Sequence, residues 1–220
     1  MSSKFSLGLV ATLSCSAASA ATNLVTDGSF ESPNVLAGGN YVLFNAGSTG
    51  ITGWTVLAPT PAESVALNPD TFLGLKASDG RQWIDMTGDT GYNKGLRSDA
   101  IATTVGVTYH VSFDLGNYLP FDIATLGLSV NGGPEQLYTN NSLAVTATNP
   151  MNWASFGFDW LATSNSLQLS FVGRANGVLS NNLGIGLDNV AVFAPVPEPG
   201  SWGLMALGLC AVGWRPARRR

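Results

Sequence analysis

A chain of 220 residues and 22.9 kDa has the length of one ordinary domain. Charged residues make up only 11%, against roughly 25% in soluble globular proteins, while 45% hydrophobic residues and a mean hydropathy of +0.19 exclude a disordered chain. The 26 glycines and 11 prolines exclude a long-helix or coiled-coil protein, and one histidine with two cysteines excludes His-rich or Cys-rich metal clusters. Ser–His or Cys–His catalysis is left with a single histidine, His110.

The N-terminus reads in three zones. Lys4 is a short positive region, Phe5 to Leu13 an apolar stretch, and Ala18-Ser19-Ala20 a small-residue cleavage site. This is the pattern of a secretory signal peptide over residues 1–20, cut before Ala21. The competing reading, a first core helix, suffers from the shortness of the segment and the strand-like sequence behind it. Cys15 follows Thr12-Leu13-Ser14, a poor fit to a lipoprotein box.

From Asn23 to Phe193 apolar residues recur with period two, the spacing of half-buried strands. Tyr109, Val111, Phe113 and Leu115 alternate with His110, Ser112, Asp114 and Gly116. Leu126, Leu128 and Val130 form a second run, Phe156, Phe158 and Trp160 a third, and Leu167, Leu169 and Phe171 a fourth. Ile185 to Phe193 closes the domain. Turn clusters separate them: Asn131-Gly132-Gly133-Pro134, Thr139-Asn140-Asn141-Ser142 and Thr163-Ser164-Asn165. Residues 21–194 are therefore expected to form one all-β domain, an antiparallel sandwich. The alternation places His110 and Asp114 on the solvent face of their strand.

Charge narrows the function. Residues 21–194 hold 5 basic and 13 acidic side chains, net near −8, which argues against nucleic-acid binding. Cys15 and Cys210 both lie outside those residues, so the domain has no disulfide. No Gly-x-Ser-x-Gly elbow, Walker loop or His-Glu-x-x-His helix occurs. Asp79, Asp85 and Asp89 cluster in sequence, but a glycosidase needs two carboxyls about 5–10 Å apart in a cleft. A non-enzymatic protein is expected.

Sugar rings stack on exposed aromatic faces. Trp54, Trp83, Trp153 and Trp160 sit within or beside strand-like runs and read as core. Tyr118 and Phe121, in the loop-like Gly116–Asp122 segment, and Tyr92, in Asp89–Asn93, are the candidates for carbohydrate contact. The alternative for all three is that they plug the end of the sandwich.

Residues 195–220 again fall into zones: Val196-Pro197-Glu198-Pro199-Gly200, the apolar run Ser201 to Trp214, and Arg215-Pro216-Ala217-Arg218-Arg219-Arg220. As a helix the apolar run reaches only about 21 Å, short of the roughly 30 Å hydrocarbon core. The arginines would hold the end on the cytoplasmic side. An element that stalls in the membrane and is then removed suits this length better than a permanent tail anchor. Pro197, Glu198 and Pro199 with the span and the Arg cluster resemble the PEP-CTERM sorting signal of Gram-negative bacteria. The resemblance implies transient membrane insertion, cleavage by an exosortase, and a host that secretes exopolysaccharide. It places the mature protein at the cell surface, the outer membrane or in the extracellular matrix.

Five further segments occur in order: Asn23–Glu31, Gly53–Val56, Asp79–Met86, Val105–Asp114 and Gly186–Val190. They resemble the galactose-binding-like jelly rolls, closest to a domain shared by plant cell-wall and bacterial surface proteins. This resemblance implies a jelly-roll sandwich and, loosely, association with carbohydrate. It also implies a structural calcium ion joining the domain ends, held by Glu31 and Asp188 with oxygens at Asp27 and Ser29. Calcium takes six to eight oxygen ligands at about 2.3–2.6 Å, and a net negative domain favours it. The alternative is that Asp27 and Glu31 shape turns while Asp188 accepts backbone amides. The expected function is an exported surface or matrix protein associated with extracellular polysaccharide. A structural or adhesive protein without a sugar site, and a glycoside-active enzyme, are the rivals.

Overall fold

Period-two alternation yields strands with one apolar face, and two such sheets bury those faces against each other. The computed structural model describes residues 21–88, 91–118, 123–141, 151–174 and 184–195. Its strands are β1 (Val42–Asn45), β2 (Trp54–Leu57), β3 (Ser64–Pro69), β4 (Gln82–Asp85), β5 (Gly95–Ser98), β6 (Ile101–Ala102), β7 (Thr108–Tyr118) and β8 (Ala124–Val130). After them come β9 (Gln136–Asn140), β10 (Met151–Leu161), β11 (Ser166–Leu167), β12 (Leu169–Arg174) and β13 (Ile185–Phe193).

One sheet has six strands in the order β1-β3-β4-β13-β7-β10, the other five in the order β2-β5-β12-β8-β9, and β11 pairs with β6. Every pairing is antiparallel. The architecture is the expected jelly-roll sandwich. Thr22–Pro195 forms one compact unit.

Val65, Leu67, Ile84, Val111, Phe113, Leu115 and Leu187 of the six-stranded sheet meet Val56, Leu96, Leu126, Leu128, Leu169 and Phe171 of the five-stranded one. Phe113 and Phe171 touch edge to face across the interface at 5.2 Å between ring centroids. Each such side chain contributes about 1.5–3 kcal/mol through burial. Trp54 belongs to this core, and Trp160 packs against it.

The chain ends of the domain are stitched together. Asn23 donates through Nδ2 to the Val190 carbonyl at 2.9 Å and accepts at Oδ1 from the Val192 amide at 3.0 Å. The Leu24 amide bonds the Val192 carbonyl, and the Val190 amide the Gly28 carbonyl. Entering residues are thereby tied along β13, at the centre of the six-stranded sheet.

Two expectations need correction. Asp114 is buried rather than solvent-facing. Asp114 does lie on the outer phase of β7, but the segment between β3 and β4 folds over that face of the sheet. Ser78 Oγ from this segment and Asn189 Nδ2 both donate to Asp114 Oδ2. Under the same segment Leu75, Trp83 and Met151 form a second apolar cluster, with Phe72, Tyr118 and Trp153 packed on it. The other correction is at Thr139 and Asn140, which close β9 instead of a turn. The Asn140 amide is buried and donates to the carbonyls of Leu115 and Asn152, satisfying groups that a turn would leave to water.

Candidate functional site: an aromatic groove

The outer face of the six-stranded sheet carries a groove of about 340 Å³. Ala66 and Asn68 of β3 and Trp83 and Asp85 of β4 line its sheet side, the phase opposite to the core residues Leu67 and Ile84. Tyr118, at the end of β7, and Gly184 close one side. Tyr41, before β1, with Phe72 and Leu73 from the 3₁₀ turn Phe72–Gly74, form the remaining wall. Tyr41 meets Phe72 edge to face at 5.2 Å, which fixes two aromatic rings at the rim. Leu73 holds a left-handed backbone, φ +51, and leaves its side chain 64% exposed.

Trp83 is buried and packs edge-on against Trp153 at 6.1 Å. Trp153 in turn lies over Gly116 and Gly186, which face each other across β7 and β13. A Cβ at either glycine would meet the indole ring at 2.8 Å, so the bare backbone is what lets Trp153 lie there. Trp153 donates its indole N–H to the Lys76 carbonyl at 2.8 Å. The indole N–H of Trp83 is shut off from water and has no acceptor.

Among the described residues that line the groove, Asp85 is the only carboxylate. Its Oδ1 accepts from the amide and hydroxyl of Thr87 at 2.8 and 2.6 Å. The Thr87 carbonyl accepts in turn from Nζ of Lys94, a fully buried lysine. Desolvation pushes the Asp85 carboxyl up to about 6, and the Thr87 bonds, the Lys94 charge and the Ile185 amide offset only part of it. A folded-state value above the unfolded one means that the folded protein binds the extra proton. Stability contributed by that proton is present below about pH 4 and is lost as pH rises to about 6. Comparing urea midpoints of wild type and Asp85→Asn across this range should show a steeper pH slope in wild type than in the variant, where Asp188 and Asp27 still titrate. The difference is on the order of 1–2 kcal/mol, allowing for partial contact with solvent. Parallel pH profiles would refute it.

The acidic residues at the domain ends converge on one loop. Asp188 is fully buried, and its Oδ2 accepts from the amides of Ser78 and Asp79 at 2.8 and 2.9 Å. Its Oδ1 accepts from the Asn189 amide at 2.7 Å. A bulge follows at once, with Asn189 at φ +50, a conformation asparagine tolerates. Glu31 Oε1 accepts from the amides of Arg81 and Gln82 at 2.7 and 2.8 Å. Asp27 takes the amides of Glu31 and Ser32 on its two oxygens, and its carbonyl accepts from Phe30 N–H and the Trp54 indole. Burial raises the Asp27 carboxyl, partly offset by the two amides.

Burial pushes Asp188 up to about 8 despite its three amide donors, with Asp79 adding like charge. No lysine or arginine ion-pairs with Asp188 or Glu31 among the described residues. Among the described residues, the hydrogen bonds to the Glu31 carboxylate use Oε1. Glu31 and Asp188 are thus both anchored on the loop Ser78–Gln82, and Asp188 is buried. Asp27 is engaged in its own turn, and nothing brings Ser29 to the pair. No group of three or more His, Cys, Asp or Glu side chains gathers for a metal among the described residues.

The sequence-derived candidates scatter. Tyr118 lines the groove. Tyr92 is partly buried and packed against the main core. Phe121, Asp89 and the sorting residues Pro197, Glu198 and Pro199 lie outside the described residues, as does the apolar run Ser201 to Trp214. His110 is exposed and pairs through Nδ1 with Asp159 Oδ1 at 2.8 Å, away from the groove. Tyr41, Phe72 and Asp85 are the site residues that aromatic and carboxylate spacing did not single out together. No helix among the described residues is long and apolar enough to cross a membrane.

Known proteins place this geometry. A search of curated protein sequences gave no match. The structure is similar to a cyclase from Fischerella sp. TAU in complex with 4-(1H-indol-3-yl)butan-2-one. That match has 17% identity and a TM-score of 0.54, and covers 81% of this chain and 100% of that one. A weaker likeness is to TmCBM61 in complex with beta-1,4-galactotriose, at 16% identity and TM-score 0.46, covering 79% and 99%. The CBM22-1 xylan-binding domain from Paenibacillus barcinonensis follows at 16% identity and TM-score 0.39, covering 71% and 93%. At such identities the likeness is one of fold. Residues 195–220 match the family described as the PEP-CTERM protein-sorting motif. The chain is thus a jelly-roll protein that ends in a PEP-CTERM sorting motif, the mark of export to the cell envelope or surface.

Proposed function

We propose that the chain is a non-enzymatic, exported surface protein whose groove binds extracellular polysaccharide after an exosortase-type enzyme has processed the C-terminal signal. The observation that carries this reading is the groove itself. Aromatic rings of Tyr41, Phe72 and Tyr118 stand around a polar floor of Asn68 and Asp85. Apolar planes beside a few fixed polar groups suit the C–H faces and hydroxyls of a sugar. A two-carboxylate glycosidase needs a second acid near Asp85, and among the described residues the lining supplies Asp85 alone.

Affinity electrophoresis of the purified protein against the host's exopolysaccharide tests it. The polysaccharide should retard the wild type, and Tyr41→Ala should bind about fivefold to tenfold more weakly. Tyr41 is 39% exposed, so the loss would not reflect unfolding. Failure of every polysaccharide to bind would leave the adhesive, sugar-free protein in its place.

Calcium belongs to the same proposal as a structural ion at Glu31 and Asp188. It would supply the positive charge that the buried Asp188 lacks and tie both domain ends to the Ser78–Gln82 loop. Added calcium should raise the melting temperature relative to chelator, and Glu31→Gln should abolish the response. Identical melts in both conditions would remove the ion.

A further inference from the structure

The charge around the groove bears on which saccharides it admits. Among the described residues that line it, Asp85 is the one carboxylate, and no lysine or arginine is present. Neighbouring cations are committed elsewhere. Lys76 and Arg81 pair with Asp70, Arg174 with Glu135, and Lys94 is buried on the Thr87 carbonyl. The domain as a whole is near −8. Binding a uronate, sulfate or phosphate here would place like charges together in a partly desolvated site, with only the buried Lys94 behind Thr87 to offset them. The polar groups present ask for something else. Asp85 and Asn68 offer acceptor oxygens to hydroxyls.

Resting on the carbohydrate-binding reading above, we propose that the groove selects uncharged saccharides and that Asp85 is the residue that excludes acidic ones. At about 340 Å³ the site is at the small end of ligand pockets, which suits one or two sugar rings at a chain end.

The test sets a neutral glucan, galactan and mannan against polygalacturonate and alginate, using the full purified protein. At least one neutral polymer should bind about tenfold or more tightly than either uronate, and Asp85→Asn should narrow that gap to about threefold. Raising the salt concentration should strengthen uronate binding to the wild type by screening the repulsion, a readout that needs no variant to fold. Uronates binding as tightly as the neutral polymers would overturn the selectivity and leave saccharide binding standing. A gap unchanged by both Asp85→Asn and salt would overturn the role of Asp85. Binding of none of the five polymers would overturn the carbohydrate reading and this inference with it.

Discussion

Asp188→Ala should lower folding stability by about 3 kcal/mol or more, read as a shift of the urea midpoint at constant slope. The carboxylate is fully buried and accepts three backbone amides, from Ser78, Asp79 and Asn189. Alanine strands all three, and each unpaired buried N–H costs about 1–3 kcal/mol. The loop Ser78–Gln82 then keeps its Glu31 anchor at the other end and the Ser78–Asp114 bond. For a domain of this size the melting temperature should fall by roughly 2–4 °C per kcal/mol. Asp188→Asn should cost less, because its remaining oxygen can still take the Ser78 and Asp79 amides. Equal, small effects from both variants would show that the loop is held by other means.

The consequence reaches the groove. The segment that Asp188 pins is the one that carries Phe72, Leu75 and Ser78 over the outer sheet face. Loosening it should expose the second apolar cluster and move the Phe72 wall of the groove. Domain-end chemistry and ligand chemistry are therefore coupled through one covering segment, although no site residue is shared.

How much of this was legible in the sequence depends on what covers each strand. β10 and the first half of β7 alternate, and the expected runs 109–115, 156–160 and 185–193 fall within β7, β10 and β13. β3 gave no such signal. All of Ser64–Pro69 is buried, because the covering segment hides the face that alternation would leave polar. The same cover hides Asp114, whose polar phase reads as solvent-facing in a bare sheet. A polar residue on an alternating strand reports its side of the sheet and not its exposure.

The groove was legible only in part. Tyr118 is a loop-edge aromatic and stands out in sequence. Tyr41 and Phe72 are 31 positions apart and meet because β1 pairs with β3 and the 3₁₀ turn follows β3 directly. No local pattern encodes that juxtaposition. Asp85 was visible as one of three clustered acids, but its distinction from Asp79 comes from β4 phase, which turns it into the groove while Asp79 stays in the loop. Glu31 and Asp188 were linked through resemblance alone, and the loop Ser78–Gln82 supplies the physical link between them.

Gly28→Ala should be among the most damaging small substitutions in the protein. A Cβ on Gly28 would lie 1.9 Å from the Val190 carbonyl oxygen and 3.0 Å from its carbon, a collision with backbone that no rotamer relieves. Neither side is free to retreat. The Val190 amide bonds the Gly28 carbonyl at 2.8 Å, and the Val190 carbonyl accepts from Asn23 at 2.9 Å. Moving the entering segment away breaks both bonds and drags Phe30, a fully buried core residue two positions on. The expected loss is about 3 kcal/mol or more, combining overpacking with stranded hydrogen bonds. Gly38→Ala is the control. Nothing lies within 4 Å of a Cβ there, so it should be neutral or stabilise by up to about 1 kcal/mol through the unfolded chain. Urea midpoints that move equally for the two variants would show that the domain ends are not locked by this contact. A large drop confined to Gly28→Ala explains why the residue after Asp27 has no side chain: the first and last segments pass too closely there for even one carbon.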